Sequence, residues 1–230
     1  MANPISTIES YLSSLRQAIL AVPTTKIREI IDLILSARKA DKQMFLFGNG
    51  GSAATASHFA CDLAKGTIVP GKRRFRVISL CDQIPVMTAW ANDADYSEIF
   101  VEQLRNIMNA GDLVIGITSS GNSPNVVKAL KYAKVFRAQT VALTGFQGGK
   151  VKEIVDHCLI VPSSTVQIIE DVHLALGHAI SIQLHATIKA EAIKRQNVRR
   201  AKSEVFPIQN ILQDLPLVVE PAEGIKTTKL

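Results

Sequence analysis

The chain has 230 residues, of which 47% are apolar, and a formal net charge of +6. That suits one domain with a full core, and no apolar run approaches the ~20 residues of a membrane span, so no membrane partner is expected. No basic segment followed by a long apolar stretch opens the chain, so no signal peptide is expected. Cys61, Cys81 and Cys158 are odd in number and form no C-x-x-C. They point to reduced, buried thiols in a cytoplasm rather than a disulfide frame.

In chain order, Ile8, Leu12, Leu15 and Ile19 predict an amphipathic helix to about Ala21, and Ser6-Thr7-Ile8-Glu9 has the capping-box pattern. After Pro23, a second helix carries Ile27, Ile30, Ile31, Ile34 and Leu35 to about Lys39. These apolar faces need a partner, either the sheet or another subunit. Strands and helices then alternate. Strands are expected at 44–47, 75–80, 113–117, 140–143 and 158–161, and helices at 53–65, 85–91 and 95–109. Further helices start at Pro124, at Gly148-Gly149 and near Thr165, the last running to about Lys194. Repeating β–α units with continuous apolar strands predict a parallel sheet covered on both faces. Ligands then bind at the carboxyl ends of the strands, near the topological switch. The late basic residues Lys189, Lys194, Arg195, Arg199, Arg200 and Lys202 come with no nucleic-acid motif and read as a solvated helix end. Three prolines and no sustained period after residue 203 predict a tail, draped over the body or a neighbour or partly disordered. The expected division is N-terminal helices at 1–40 for oligomerisation, a central domain at 41–196 and the tail at 197–230.

The most informative stretch is Thr118-Ser119-Ser120-Gly121-Asn122-Ser123, followed by Pro124. It lies between a strand and a helix, with Ser123 expected as N-cap and Pro124 at the first helical position. The hydroxyls of Thr118, Ser119, Ser120 and Ser123 and the backbone N–H groups would converge on the positive end of the helix dipole. That is a site for an anion, most simply a phosphate. An ordinary capped turn needs fewer hydroxyls. Strand one ends in Gly48-Asn49-Gly50-Gly51-Ser52. Its glycines admit close backbone approach, and Ser52 is expected to cap the next helix. The same loop satisfies a relaxed dinucleotide fingerprint with Asp82 as the ribose acid. The hydroxyl-rich turn argues against that use.

His58 and Asp62, at i and i+4, share a helix face. They either hold a divalent metal, share a proton, or form a local hydrogen-bonded pair. The last helix carries Glu170, Asp171, His173, His178 and His185. Glu170 and His178 lie about 12 Å apart along an ideal helix. They meet at one small site only if the first turn bends or different subunits supply them. Asn92-Asp93 reads either as a plain turn dipeptide or as a pair whose side chains hydrogen-bond the hydroxyls of a polar substrate.

Taken together, the 48–52 loop, His58, Asn92-Asp93, the 118–123 turn and the Glu170 to His178 segment resemble the sugar isomerase (SIS) domain family, and within it the phosphoheptose isomerases. The resemblance covers about residues 5–194. It implies a flavodoxin-like, doubly wound five-stranded parallel sheet and a homotetramer with active sites between subunits. It implies substrate binding by Asn49, Gly50, Gly51, Ser52, Asn92, Asp93, Thr118, Ser119, Ser120, Ser123 and Glu170, with the phosphate on the 118–123 turn. It also implies one zinc per subunit on His58, Asp62, Glu170 and His178. Asp62 stands where the family carries Glu, and Glu170 where it carries Gln. The expected reaction converts sedoheptulose 7-phosphate to D-glycero-D-manno-heptose 7-phosphate through an enediol. Asp62 would be the base and His178 the acid or proton shuttle. The two departures and the tail also admit a non-catalytic SIS module that binds a sugar phosphate or a protein partner.

Overall fold

The computed structural model describes residues 6–204, the side chains of 195 and 198–204 excepted. Two N-terminal helices, α1 (Ile8–Ala21) and α2 (Thr24–Lys39), precede strand β1 (Gln43–Gly48) and helix α3 (Gly51–Cys61). Helix α3 runs on into a wider π-helical turn, Asp62–Gly66. Strand β2 (Arg76–Ser79) and helices α4 (Ile84–Asp93) and α5 (Val101–Ile107) follow. Next come β3 (Leu113–Thr118), α6 (Pro124–Val135), β4 (Gln139–Thr144) and β5 (His157–Ile160). Helix α7 (Val166–Glu204) ends the described part.

All strand pairs are parallel, in the order β2-β1-β3-β4-β5. This is the doubly wound, flavodoxin-like order, which reverses its direction of growth between β1 and β3. Phe45 pairs with Ile78 on one side and Val114 on the other. The alternation of side chains along β1 divides the core. Met44 and Leu46 face one apolar cluster with Ile30, Ile34, Phe59, Ile169 and Leu176. Phe45 and Phe47 face the other with Ile99, Phe100, Leu104, Val126 and Leu130. Both sheet faces are therefore covered, which is why the strands are continuously apolar. Each fully buried side chain of this size stabilises by about 2 kcal/mol.

The N-terminal helices find their partner partly in the sheet. Ile30, Ile31, Ile34 and Leu35 of α2 are buried in the first cluster, whereas Ile8, Leu12, Ile19 and Leu20 of α1 are exposed. The capping box sits one residue later than its sequence pattern: Thr7 caps α1, and Ser10 returns the bond to the Thr7 N–H. The 95–109 helix is shorter than expected. Asp95 Oδ1 accepts the Ser97 N–H at 2.7 Å and closes a separate 3₁₀ turn, so α5 starts only at Val101. Cys61 is exposed rather than buried. One compact unit ends at Lys189 and a second starts at Ala190. Helix α7 extends past Lys194 to Glu204 because Glu, Lys, Arg, Gln and Ala are good helix formers without any apolar period. The expected tail beyond it, 205–230, lies outside the described residues.

Candidate active site

The carboxyl ends of β1 and β3 are neighbours at the switch point, and both informative loops emerge there. Asn49, Ser52, Thr118, Ser119, Ser120, Ser123, Val166 and Glu170 line one cavity of about 220 Å³. That is below the ~300–1,000 Å³ of whole small-molecule pockets and is the size of one end of a ligand. Among the described residues no Lys or Arg lines it. An anion there would rest on hydroxyls, N–H groups and the N-terminus of α6.

The 118–123 turn is held from several directions. Thr118 Oγ1 and Ser123 Oγ share a hydrogen bond of 3.2 Å. Ser123 is the N-cap of α6 with Pro124 in the first turn, as expected, but its hydroxyl faces into the 118–123 turn and makes no side-chain cap bond. Ser120 Oγ accepts the Asn122 N–H, which leaves its own proton available to a ligand. Asn122 Oδ1 accepts the Lys150 N–H at 3.0 Å and ties the turn to the loop after β4. Gly121 has φ +68°, and any Cβ there would collide with the backbone of Gly148.

Across the crevice, Gly50 rather than Ser52 is the N-cap of α3, with φ +55°. Ser52 is a buried first-turn residue facing the cavity. Asn49 and the buried Asn125 exchange two amide hydrogen bonds of 2.9 and 2.8 Å, and Tyr96 adds its hydroxyl to Asn49 Oδ1. This pair clamps the β1 loop to the first turn of α6. No sequence signal marked Asn125 or Tyr96, because each acts through a partner distant in sequence. Asp82, the candidate ribose acid, instead accepts the Ser57 hydroxyl at 2.5 Å.

The expected four-residue metal set divides. His58, Asp62 and His178 come together: their ligand atoms lie within 4.8 Å of one another. His58 Nε2 and His178 Nε2 are 3.0 Å apart, and each lies 3.7–3.8 Å from a different oxygen of Asp62. Glu170 does not join them. Its carboxylate overhangs Gly51, where a side chain would collide with it, and it lines the hydroxyl cavity instead. Burial first, then the Asp171 charge, pushes the Glu170 carboxyl up from the usual carboxylate range. The reason for the division is helix geometry. Helices α3 and α7 lie side by side, with Gly51 beside Glu170 and His58 beside His178. Two helical turns therefore separate the cavity from the cluster, about 9 Å from Ser52 to His58 and about 12 Å from Glu170 to His178.

Asn92 and Asp93 also fall elsewhere. They form the last turn of α4 rather than a loop, are exposed, and bond each other at 2.8 Å; neither lines the hydroxyl cavity.

The donor set of the cluster fits a divalent ion. Two imidazole nitrogens and a carboxylate, 3.0–3.8 Å apart, bracket the roughly 3.4 Å between two donors that each sit ~2.1 Å from a tetrahedral zinc. All three side chains keep a solvent-facing part, so the cluster is open to a further ligand.

Comparison with known proteins identifies the family. A family profile described as "SIS domain" matches residues 9–145. The chain is 41% identical over 155 residues to phosphoheptose isomerase of Aquifex aeolicus, spanning 67% of this chain and 81% of that one. It is 37% identical to the probable phosphoheptose isomerase of Thermoplasma acidophilum, over 75% of this chain and 94% of that one. The solved phosphoheptose isomerase of Neisseria gonorrhoeae superposes with a TM-score of 0.72 at 29% identity, over 78% of this chain and 97% of that one. The chain belongs to the SIS-domain family, on the phosphoheptose isomerase branch.

Proposed function

We propose that the protein is an aldose–ketose isomerase that converts sedoheptulose 7-phosphate to D-glycero-D-manno-heptose 7-phosphate. The observation that carries this reading is the path between α3 and α7. A hydroxyl cradle lies at one end and the His58–Asp62–His178 cluster two helical turns away. A long, extended sugar phosphate suits that separation, with its phosphate in the cradle and its carbonyl end at the cluster.

Isomerisation moves a proton from C1 to C2 of the ketose through an enediol. Asp62 takes the C1 proton, and the two imidazoles beside its oxygens hold the carboxylate in place. His178 delivers a proton to the C2 carbonyl oxygen as the enediol forms and recovers the C1 hydroxyl proton as the aldehyde appears. The Asp62 carboxyl proton exchanges with solvent while the enediol persists, and Asp62 then delivers a proton to C2, so the step is redox-neutral overall. As an alternative to this proton traffic, His58, Asp62 and His178 would hold a divalent ion, zinc by their chemistry and one per subunit; when bound it would take up the same donor atoms and polarise the sugar oxygens as a Lewis acid in their place.

We further propose a homotetramer, supported by the exposed apolar residues of α1. A cytoplasmic setting is supported by three free cysteines. Among the described residues no helix is long and apolar enough to cross a membrane.

The test is turnover of sedoheptulose 7-phosphate by the wild type, Asp62→Asn and His178→Gln. Each substitution is expected to lower kcat at least 100-fold, the scale of a lost general acid or base. Retained turnover in both would discard the assignment of roles. No product from the wild type, with binding intact, would leave a non-catalytic module.

A further inference from the structure

Under the cradle lies a buried imidazole that the proposed chemistry does not use. His173 on α7 is fully buried, and its Nδ1 has no hydrogen-bond partner. Its Nε2 lies 3.1 Å from the Thr144 carbonyl oxygen at the end of β4. A carbonyl only accepts, so Nε2 carries the proton and Nδ1 the lone pair. The same peptide group has a second end. The Gly145 N–H donates to the Ser119 carbonyl oxygen at 2.9 Å. The Ser119 carbonyl belongs in turn to the peptide whose N–H is that of Ser120, a cavity-lining residue. Among the described residues that Ser120 N–H has no hydrogen-bond partner.

We propose that His173 is a positioning residue for the phosphate cradle, acting through the Thr144–Gly145 and Ser119–Ser120 peptide groups to hold the Ser120 N–H toward the substrate phosphate. This rests on the reading of the 118–123 turn as the phosphate site. Two physical effects contribute. The chain of hydrogen bonds fixes the plane of the Ser119–Ser120 peptide, which otherwise follows a turn with a glycine in the left-handed region. Each bond also polarises the next, so a donor at one end strengthens the donor at the other. The Thr144 carbonyl oxygen does not depend on His173 for a partner, because it also accepts the Val161 N–H at 2.8 Å. A role in satisfying that buried carbonyl is thereby filled already.

The experiment compares His173→Leu, which keeps the volume and removes the donor, with His173→Gln, which returns an N–H at similar reach. His173→Leu is expected to raise both KM for sedoheptulose 7-phosphate and Kd for inorganic phosphate about fivefold, with kcat within about twofold of wild type. His173→Gln is expected to restore both constants. Unchanged KM and Kd in His173→Leu, or a His173→Gln protein that behaves like His173→Leu, overturns the proposal. Should either variant fail to fold, ¹⁵N-labelled wild type titrated with inorganic phosphate decides the matter. The Ser120 and Gly145 amide resonances are expected to move together. Movement of Ser120 with Gly145 still overturns the relay alone. An unmoved Ser120 removes the phosphate cradle and the relay with it. Wild-type turnover is read separately, so loss of the isomerase reading is distinguishable from loss of the relay.

Discussion

His173 carries a second consequence at the scale of a single residue. Burial holds its pKa down to about 4, against an ordinary value of 6.5, and the bond to Thr144 offsets only part of this. Between those values the unfolded chain binds a proton that the folded chain refuses. Stability therefore rises with pH up to about 6.5 and is level above it. The contribution lost on going from pH 7.5 to pH 5 is about 2 kcal/mol. Urea unfolding at the two pH values is expected to show a smaller acid loss in His173→Gln than in wild type, by about that amount. Equal losses would mean that the imidazole titrates freely. Glu170 gives the other residue-scale prediction. A carboxylate over the proposed phosphate cradle would oppose its ligand, and burial already disfavours its charge, raising its pKa. Glu170→Gln is expected to lower KM for the sugar phosphate severalfold, more at higher pH as the carboxyl ionises. A KM that rises would show Glu170 to be a required contact.

Among the elements, the turn after β3 and the loop after β4 meet backbone to backbone. Gly121 at φ +68° faces Gly148, and Gly149 at φ +56° faces Ser120 and Gly121. Gly121→Ala imposes a left-handed residue, costing about 1–2 kcal/mol, and forces the two loops apart. Its expected signature is a Tm several degrees lower together with a KM at least tenfold higher. A lower Tm with unchanged KM would separate the turn from binding. The same elements show what the sequence made legible. Five apolar runs marked five strands, because a strand buried on both faces has no polar side to confuse the period. The hydroxyl-rich turn was legible because four hydroxyls in six residues exceed the needs of a cap. The Asn49–Asn125 clamp was not, since its partners stand 76 residues apart and neither alone differs from a loop asparagine. Nor was the place of Glu170. Spacing tells which residues share a helix face, and it does not tell which turn of α7 lies against which turn of α3. Asn92-Asp93 misled for a local reason: an Asx pair suits a helix's last turn as well as a loop.

At the scale of the whole molecule, two features follow from the parallel α/β layering. The switch between β1 and β3 opens one crevice and puts both site loops at its mouth. Meanwhile α1 buries only Ala18 and leaves Ile8, Leu12, Ile19 and Leu20 exposed. If these residues are the oligomer contact, light scattering will give a tetramer for wild type and a smaller species for Leu12→Asp combined with Leu20→Asp. An unchanged mass would move the contact elsewhere. The central claim is that the 118–123 turn grips the phosphate of a ketose phosphate while Asp62 and His178 move its protons. It is tested most directly by following sedoheptulose 7-phosphate with the purified protein in D₂O by proton NMR. Wild type is expected to form the aldose phosphate with deuterium at C2, and Asp62→Asn to form none. A wild-type protein that leaves the substrate unchanged and unlabelled would contradict it.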